Sequence, residues 1–159
     1  MKGLGTLAAI GLVTLAVAPA VPAQEQTRDG YRERVESICE RDTQRGQRIL
    51  KGAKERIQRG RLAPAGRQFL RVSRTFGASV RQIARVPRPP ADATRLRKWL
   101  KFLRIVRLRL QRLGKTLTEG KQVKSTHASI QLERSGNAAN NVGFVFEFRH
   151  CRLTRSRFG

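Results

Sequence analysis

The chain has 159 residues, of which 39% are hydrophobic and 28% charged, which suits one folded domain and excludes wholesale disorder. Lys and Arg outnumber Asp and Glu 34 to 11, a formal charge of +23. A field this positive repels basic partners and attracts polyanions: nucleic acid, anionic lipid or anionic cell-wall polymer. Arg supplies 26 of the 34 cations, as a high-GC genome would favour, but codon usage does not explain why acids fail to balance them.

Residues 1–23, MKGLGTLAAIGLVTLAVAPAVPA, read as a signal peptide. Lys2 gives a positive start, and residues 4–17 form an uncharged apolar run too short for a comfortable membrane span. Small residues at the −3 and −1 positions predict cleavage after Ala23, with Ala20 as the alternative and an uncleaved anchor as the competing expectation. The mature chain then carries +22 and is expected outside the cytoplasm, secreted or associated with the envelope. Export would make Cys39 and Cys151 a disulfide, closing a loop that chain entropy values at roughly 4–5 kcal/mol. A metal or thiol site using His150 beside Cys151 is the weaker alternative, because CxxC and HxxxH spacings are missing.

After a frayed start at residues 24–27, Tyr31, Val35, Ile38, Asp42, Gly46, Ile49, Ala53 and Ile57 step by three and four, predicting a first helix over 28–59 that stops near Gly60. Asp42 and Gly46 interrupt its apolar stripe, so its middle either packs less well or packs closely through Gly46. Phe69, Val72, Phe76, Val80 and Ile83 predict a second helix over 64–85, with Pro64 in its first turn and Pro87, Pro89 and Pro90 ending it.

The stretch RKWLKFLRIVRLRL, residues 97–110, resembles a membrane-active peptide in isolation. Capped by Asp92 or Thr94, it belongs to a third helix. Leu96, Trp99, Leu100, Phe102, Leu103, Val106, Leu110, Leu113 and Leu117 share an arc of roughly 160° at 100° per residue. Arg97, Lys98, Lys101, Arg104, Arg109, Arg112 and Lys115 lie mostly opposite, with Ile105 and Leu108 stranded among them. An arc that wide suits a bundle helix touching two neighbours better than a free membrane-inserting helix. Ala128, Leu132, Ser135, Ala139, Val142 and Phe146 share a stripe, with Ile130 beside it, and predict a fourth helix over 121–142, closed by a left-handed Gly143. The alternation of residues 144–149 predicts an extended segment with its Phe side chains on one side, delivering Cys151.

The expected fold is therefore all-α: an up-down four-helix bundle with a short extended C-terminal segment and one disulfide. The bundle domain would span 24–152 and a loose basic tail 153–159. Tyr31 and Cys39 in the first helix, the Pro87-to-Pro90 break, Trp99, the Asn137-to-Asn141 segment, and Gly143-Phe144 before Cys151 form a recurring layout. In these features the chain resembles small, functionally uncharacterised exported helical-bundle proteins of high-GC Gram-positive bacteria. Its Gly143-to-Cys151 spacing is longer, and its acid content lower, than in that group. The resemblance implies an exported bundle with a disulfide and supplies no catalytic residues.

No P-loop, GxSxG, HExxH or dinucleotide fingerprint is present, and His127 and His150 have no acid at a telling spacing. An enzyme, a metal site and a cofactor are not expected. Glu36, Glu40 and Asp42 are expected to pair with Arg32, Arg41 and Arg45. Between Arg56 and Thr118 stand 18 Arg or Lys and one acid, Asp92. The candidate anion-binding surface is Arg71, Arg74, Arg81 and Arg85 on the second helix with Arg97, Lys98, Lys101, Arg104, Arg109, Arg112 and Lys115 on the third. Its expected partners are anionic envelope polymers or lipid. The alternatives are a structural or protein-interaction bundle with no polyanion role, whose cations are merely solvated, and nonspecific nucleic-acid binding.

Overall fold

The computed structural model describes residues 26–154. The signal-peptide reading and residues 155–159 of the tail lie outside the described residues. Helices α1 (Arg28–Leu50), α2 (Ala53–Gln58), α3 (Leu62–Arg85), α4 (Ala93–Thr118) and α5 (Gln122–Gly143) follow in order, with 3₁₀ turns at Pro90–Asp92 and Phe144–Phe146. The four long helices form the expected all-α, up-down bundle. α4 packs between α3 and α5, and α1 packs on α3.

The predicted first helix is two helices. Gly52 adopts φ +74°, a left-handed conformation that a β-carbon disfavours, and this breaks the chain after Leu50. The broken end leaves carbonyls without helical partners. Gln68 of α3 fills that gap, donating from Nε2 to the carbonyls of Ile49 (2.6 Å) and Lys51 (3.2 Å). Arg56 donates to Lys51 O and to Gln68 Oε1, which ties α2 into the same knot. At the other end, Thr27 is ordered enough to cap α1: its Oγ1 accepts the Gly30 N–H at 3.1 Å.

The predicted arc of α4 is buried as a continuous wall: Leu96, Trp99, Leu100, Leu103, Val106, Leu110, Leu113 and Leu117. Facing it are Phe69, Val72, Phe76, Val80 and Ile83 of α3, and Ala128, Leu132 and Ala139 of α5. Phe102 is only partly buried. α3 and α4 meet backbone to backbone at Gly66 and Gly114. A methyl group on Gly66 would lie 2.6 Å from the Gly114 carbonyl oxygen and 2.5 Å from the Thr118 amide nitrogen. Gly46 differs: a methyl there would meet nothing within 4 Å, so this part of α1 is the loosely packed one of the two alternatives. Asp42, buried beside it in the same helix, accepts a hydrogen bond from the Ser79 hydroxyl of α3 at 2.9 Å.

The segment after α5 is not extended. Residues 144–146 form a 3₁₀ turn, and the left-handed residue is Glu147 (φ 52°), not Gly143, whose φ is −79°. Gly143 is needed for space instead: a β-carbon there would lie 2.9 Å from Trp99 Nε1. The turn also separates the Phe side chains. Phe144 points outward, while Phe146 and Phe148 are buried, with Phe148 stacked on Trp99 (centroids 4.7 Å apart).

From there the chain returns between α1 and α5, which make few close approaches to each other. Both carboxylate oxygens of Glu36 accept backbone N–H groups, from Arg149 and His150, at 2.8 Å each. Cys151 is bonded to Cys39, with Cα atoms 5.0 Å apart across 112 residues of sequence. Asn140 then clamps Leu153 in both directions, donating to its carbonyl (2.9 Å) and accepting its N–H (2.8 Å). Leu153 is buried against the core. The Arg28 guanidinium completes this pole, bonding Asp92 through two N–H···O contacts of 2.8 and 2.7 Å and lying 5.7 Å from the centre of the Phe146 ring. Asp92 therefore stands at the start of α4 without capping it through its side chain.

Two predictions follow from this packing. Gly66→Ala should destabilise the bundle by about 2–3 kcal/mol through overpacking. Gly46→Ala should stabilise it by about 0.5–1 kcal/mol, the ordinary helical preference for alanine. Chemical denaturation of both variants distinguishes a close helix crossing from a loose one.

Tyr31 is fully buried and its hydroxyl lacks a hydrogen-bond partner among the described residues. Burial pushes its pKa up to about 12, against the opposing pull of Arg88. Stability linked to the neutral phenol is thus complete below the ordinary value near 10 and lost as pH rises toward 12. Tyr31→Phe should match or exceed the wild type at pH 7, since no bond is lost. It should also lose less stability than wild type across pH 10–12. Thermal melts at matched pH values measure both.

Candidate anion-binding surface

Amphipathic burial of α3 and α4 turns their cations outward. Arg71, Arg74, Arg81, Arg85, Arg97, Lys98, Lys101, Arg104, Arg112 and Lys115 are exposed, and Arg109 is half-buried. The single acid of the 56–118 stretch does not neutralise them, because Arg28 of α1 takes both oxygens of Asp92. That pairing holds the Asp92 carboxyl below the usual aspartate range: the Arg28 hydrogen bonds outweigh the opposing effect of burial, with the charges of Arg28 and Arg95 adding to them.

The surface is not one sheet of charge. Arg81, Arg85 and Arg104 meet, with Arg107, in a groove of about 310 Å³ between α3 and α4, floored by Gly77, Val80 and Ala84. Arg109, Arg112 and Lys115 line a larger groove of about 640 Å³ between α4 and α5, together with Lys121, Lys124 and His127. Arg71 and Arg74 flank a third groove with Arg56, Arg67 and Gln68. Arg97, Lys98 and Lys101 line none of these; they stand on the outer face of the first half of α4.

Sequence reasoning missed Arg107, Lys121, Lys124 and His127. At 100° per residue Arg107 falls at the edge of the apolar arc, and it is half-buried. Lys121, Lys124 and His127 belong to the start of α5, which folds back beside the end of α4. Lys121 is paired there with Glu119 at 2.7 Å, and this pairing lowers the Glu119 pKa, chiefly through the hydrogen bond.

On α1 the expected pairing of Glu36 with a neighbouring arginine is replaced by contacts with the returning segment. Glu36 is bound to backbone N–H groups of the C-terminal segment and Asp42 to Ser79, while Glu40 accepts from Gln44 at 3.5 Å. Arg32 bonds instead to Asp29 (2.9 Å) and Glu147 (3.5 Å). Arg32 stands one helical turn before Glu36, but the returning segment supplies Glu36 with two backbone donors.

Of the two apolar residues stranded among the arginines, Leu108 is 51% exposed and Ile105 is half-buried. Val123, Ile130 and Phe144 are also exposed. Among the described residues no helix is long and apolar enough to cross a membrane, and no cluster of three or more His, Cys, Asp or Glu could hold a metal ion. A structural disulfide belongs to an oxidising environment. Compared with protein families, curated proteins and solved structures, the chain matches none.

Self-repulsion among these outward cations opposes the compact state, and salt screens it within about 10 Å at 0.1 M. The melting temperature of the oxidised protein should therefore rise between low salt and roughly 0.3 M NaCl. A protein held mainly by surface ion pairs would show a fall, and differential scanning calorimetry separates the two.

Proposed function

We propose that the chain is an exported, disulfide-stapled bundle that binds anionic envelope polymers or lipid surfaces electrostatically through α3 and α4. The observation that carries this is the stretch from Arg56 to Thr118, with 18 cations whose single acid is already occupied by Arg28 from another helix. Guanidinium groups are suited to this work because they stay charged and present paired donors to oxyanions. The apolar arc of α4 is spent on α3 and α5, so attachment would rest on charge rather than on insertion. The disulfide and the signal-like residues 1–23 favour an extracytoplasmic location, where anionic envelope components are the abundant polyanions and nucleic acid is not.

A protein-interaction role is the second possibility, favoured by exposed Leu108, Val123, Ile130 and Phe144. The two differ in salt response, since screening weakens charge attraction and leaves apolar contact nearly intact. Co-sedimentation of the oxidised protein with anionic and neutral vesicles across a salt series tests the proposal, with duplex DNA as competitor. Anionic vesicles alone should bind, and binding should fall at least about tenfold between 50 and 200 mM salt. Failure to bind anionic vesicles at low salt would sink the proposal and turn attention to protein partners.

A further inference from the structure

Of the three basic grooves, the one between α3 and α4 differs in kind. The α4–α5 groove contains Glu119, already joined to Lys121, and in the third groove Arg56 is committed to Lys51 O and Gln68. The α3–α4 groove is lined by four arginines on an apolar floor, with no acid, amide or hydroxyl side chain among its lining residues. Among the described residues no side-chain hydrogen bond or ion pair involves the guanidinium of Arg81, Arg85, Arg104 or Arg107.

The groove also sets like charges along one seam. Arg81 and Arg85 are one turn apart on α3, and Arg104 and Arg107 one turn apart on α4, spacings at which like charges repel. Gly77 lets the two pairs converge. A β-carbon there would lie 2.7 Å from Arg107 Cδ and 3.8 Å from Arg81 Nη1, so the Arg107 stem lies across the bare glycine toward Arg81. A solvated coat of charge would spread these side chains apart. Here the half-buried Arg107 stem lies against Gly77, with the exposed Arg81, Arg85 and Arg104 around the same groove.

We infer that this groove is a seat for a phosphate group. This rests on the anionic-surface proposal and deepens it by naming the ligand chemistry. Guanidinium forks arriving from two helices suit a tetrahedral oxyanion with several free oxygens, whereas one fork already satisfies a carboxylate. At about 310 Å³ the groove has the size of a headgroup or a small phosphate compound. Its floor of Gly77, Val80 and Ala84 offers no hydrogen bond that would select a sugar or base. Phosphate on an anionic lipid and free phosphate share this chemistry, so both are probed.

The test uses the oxidised protein with two probes at low salt: phosphatidylglycerol vesicles and inorganic pyrophosphate. The double variant R81K/R107K keeps the net charge and removes two forks; R45K/R48K, exposed on α1 and outside the proposed surface, is the control. Gly77→Ala displaces Arg107 without touching any charge, and circular dichroism checks that each variant keeps its helices. R81K/R107K and Gly77→Ala should each weaken binding by about tenfold or more, with the control within about twofold.

Saturable pyrophosphate binding that competes with vesicles identifies free phosphate as a sufficient ligand. Vesicle binding alone, lost in the groove variants, identifies the lipid headgroup. Folded groove variants that bind both probes as well as the control overturn the phosphate seat and leave the broader electrostatic surface standing. A wild type that binds neither probe at low salt overturns both.

Discussion

Everything in this fold depends on how an arginine-rich helix can be buried. α4 must hide a wide apolar arc while every guanidinium stays in reach of water. One neighbour cannot cover such an arc, so α4 sits between α3 and α5. That choice sends its cations to the two flanking seams and the outer face. The grooves lined by Arg81, Arg85, Arg104 and Arg107, and by Arg109, Arg112 and Lys115, are consequences of this placement.

Putting α4 at the centre leaves α1 and α5 as poorly joined edges. The C-terminal segment closes that seam with means other than helix packing: the Phe146 and Phe148 side chains, the Glu36 carboxylate on two backbone N–H groups, the disulfide, and the Asn140–Leu153 clamp. Three of the 11 acids serve as ties between elements. Glu36 holds the returning backbone, Asp92 holds Arg28, and Asp42 holds Ser79. Asp92 is the one acid between Arg56 and Thr118, and held by Arg28 it cannot neutralise the outer arginines of α3 and α4.

Much of the fold was legible because helical periodicity is a local property. The stripes of Phe69 to Ile83 and Leu96 to Leu117 are the buried faces of α3 and α4, and the cysteines pair across the return of the chain. The misreadings share a cause. The break at Gly52 depends on Gln68, sixteen residues away, which takes up the freed carbonyls. Residues 144–149 alternate like a strand, yet they have no neighbouring strand with which to pair, and Glu147 turns them instead. Gly66 and Gly114 look ordinary in sequence because only their contact across two helices makes their size matter. For the candidate site, the cations of α3 and α4 were legible from their spacing opposite the apolar stripe. Their grouping into separate grooves, and the addition of Lys121, Lys124 and His127, required α5 to be placed.

The sequence by itself determined the class of fold, the cysteine pair, and the excess of positive charge opposite the apolar arc, because each follows from residue type and helical period. Tertiary structure alone decided which cations share a groove, which acids are withdrawn from the surface, and how the final segment bonds to α1 and α5. Those outcomes depend on distances between residues far apart in the chain. Such distances are set by how closely backbones approach and by which donor reaches a carboxylate or carbonyl first.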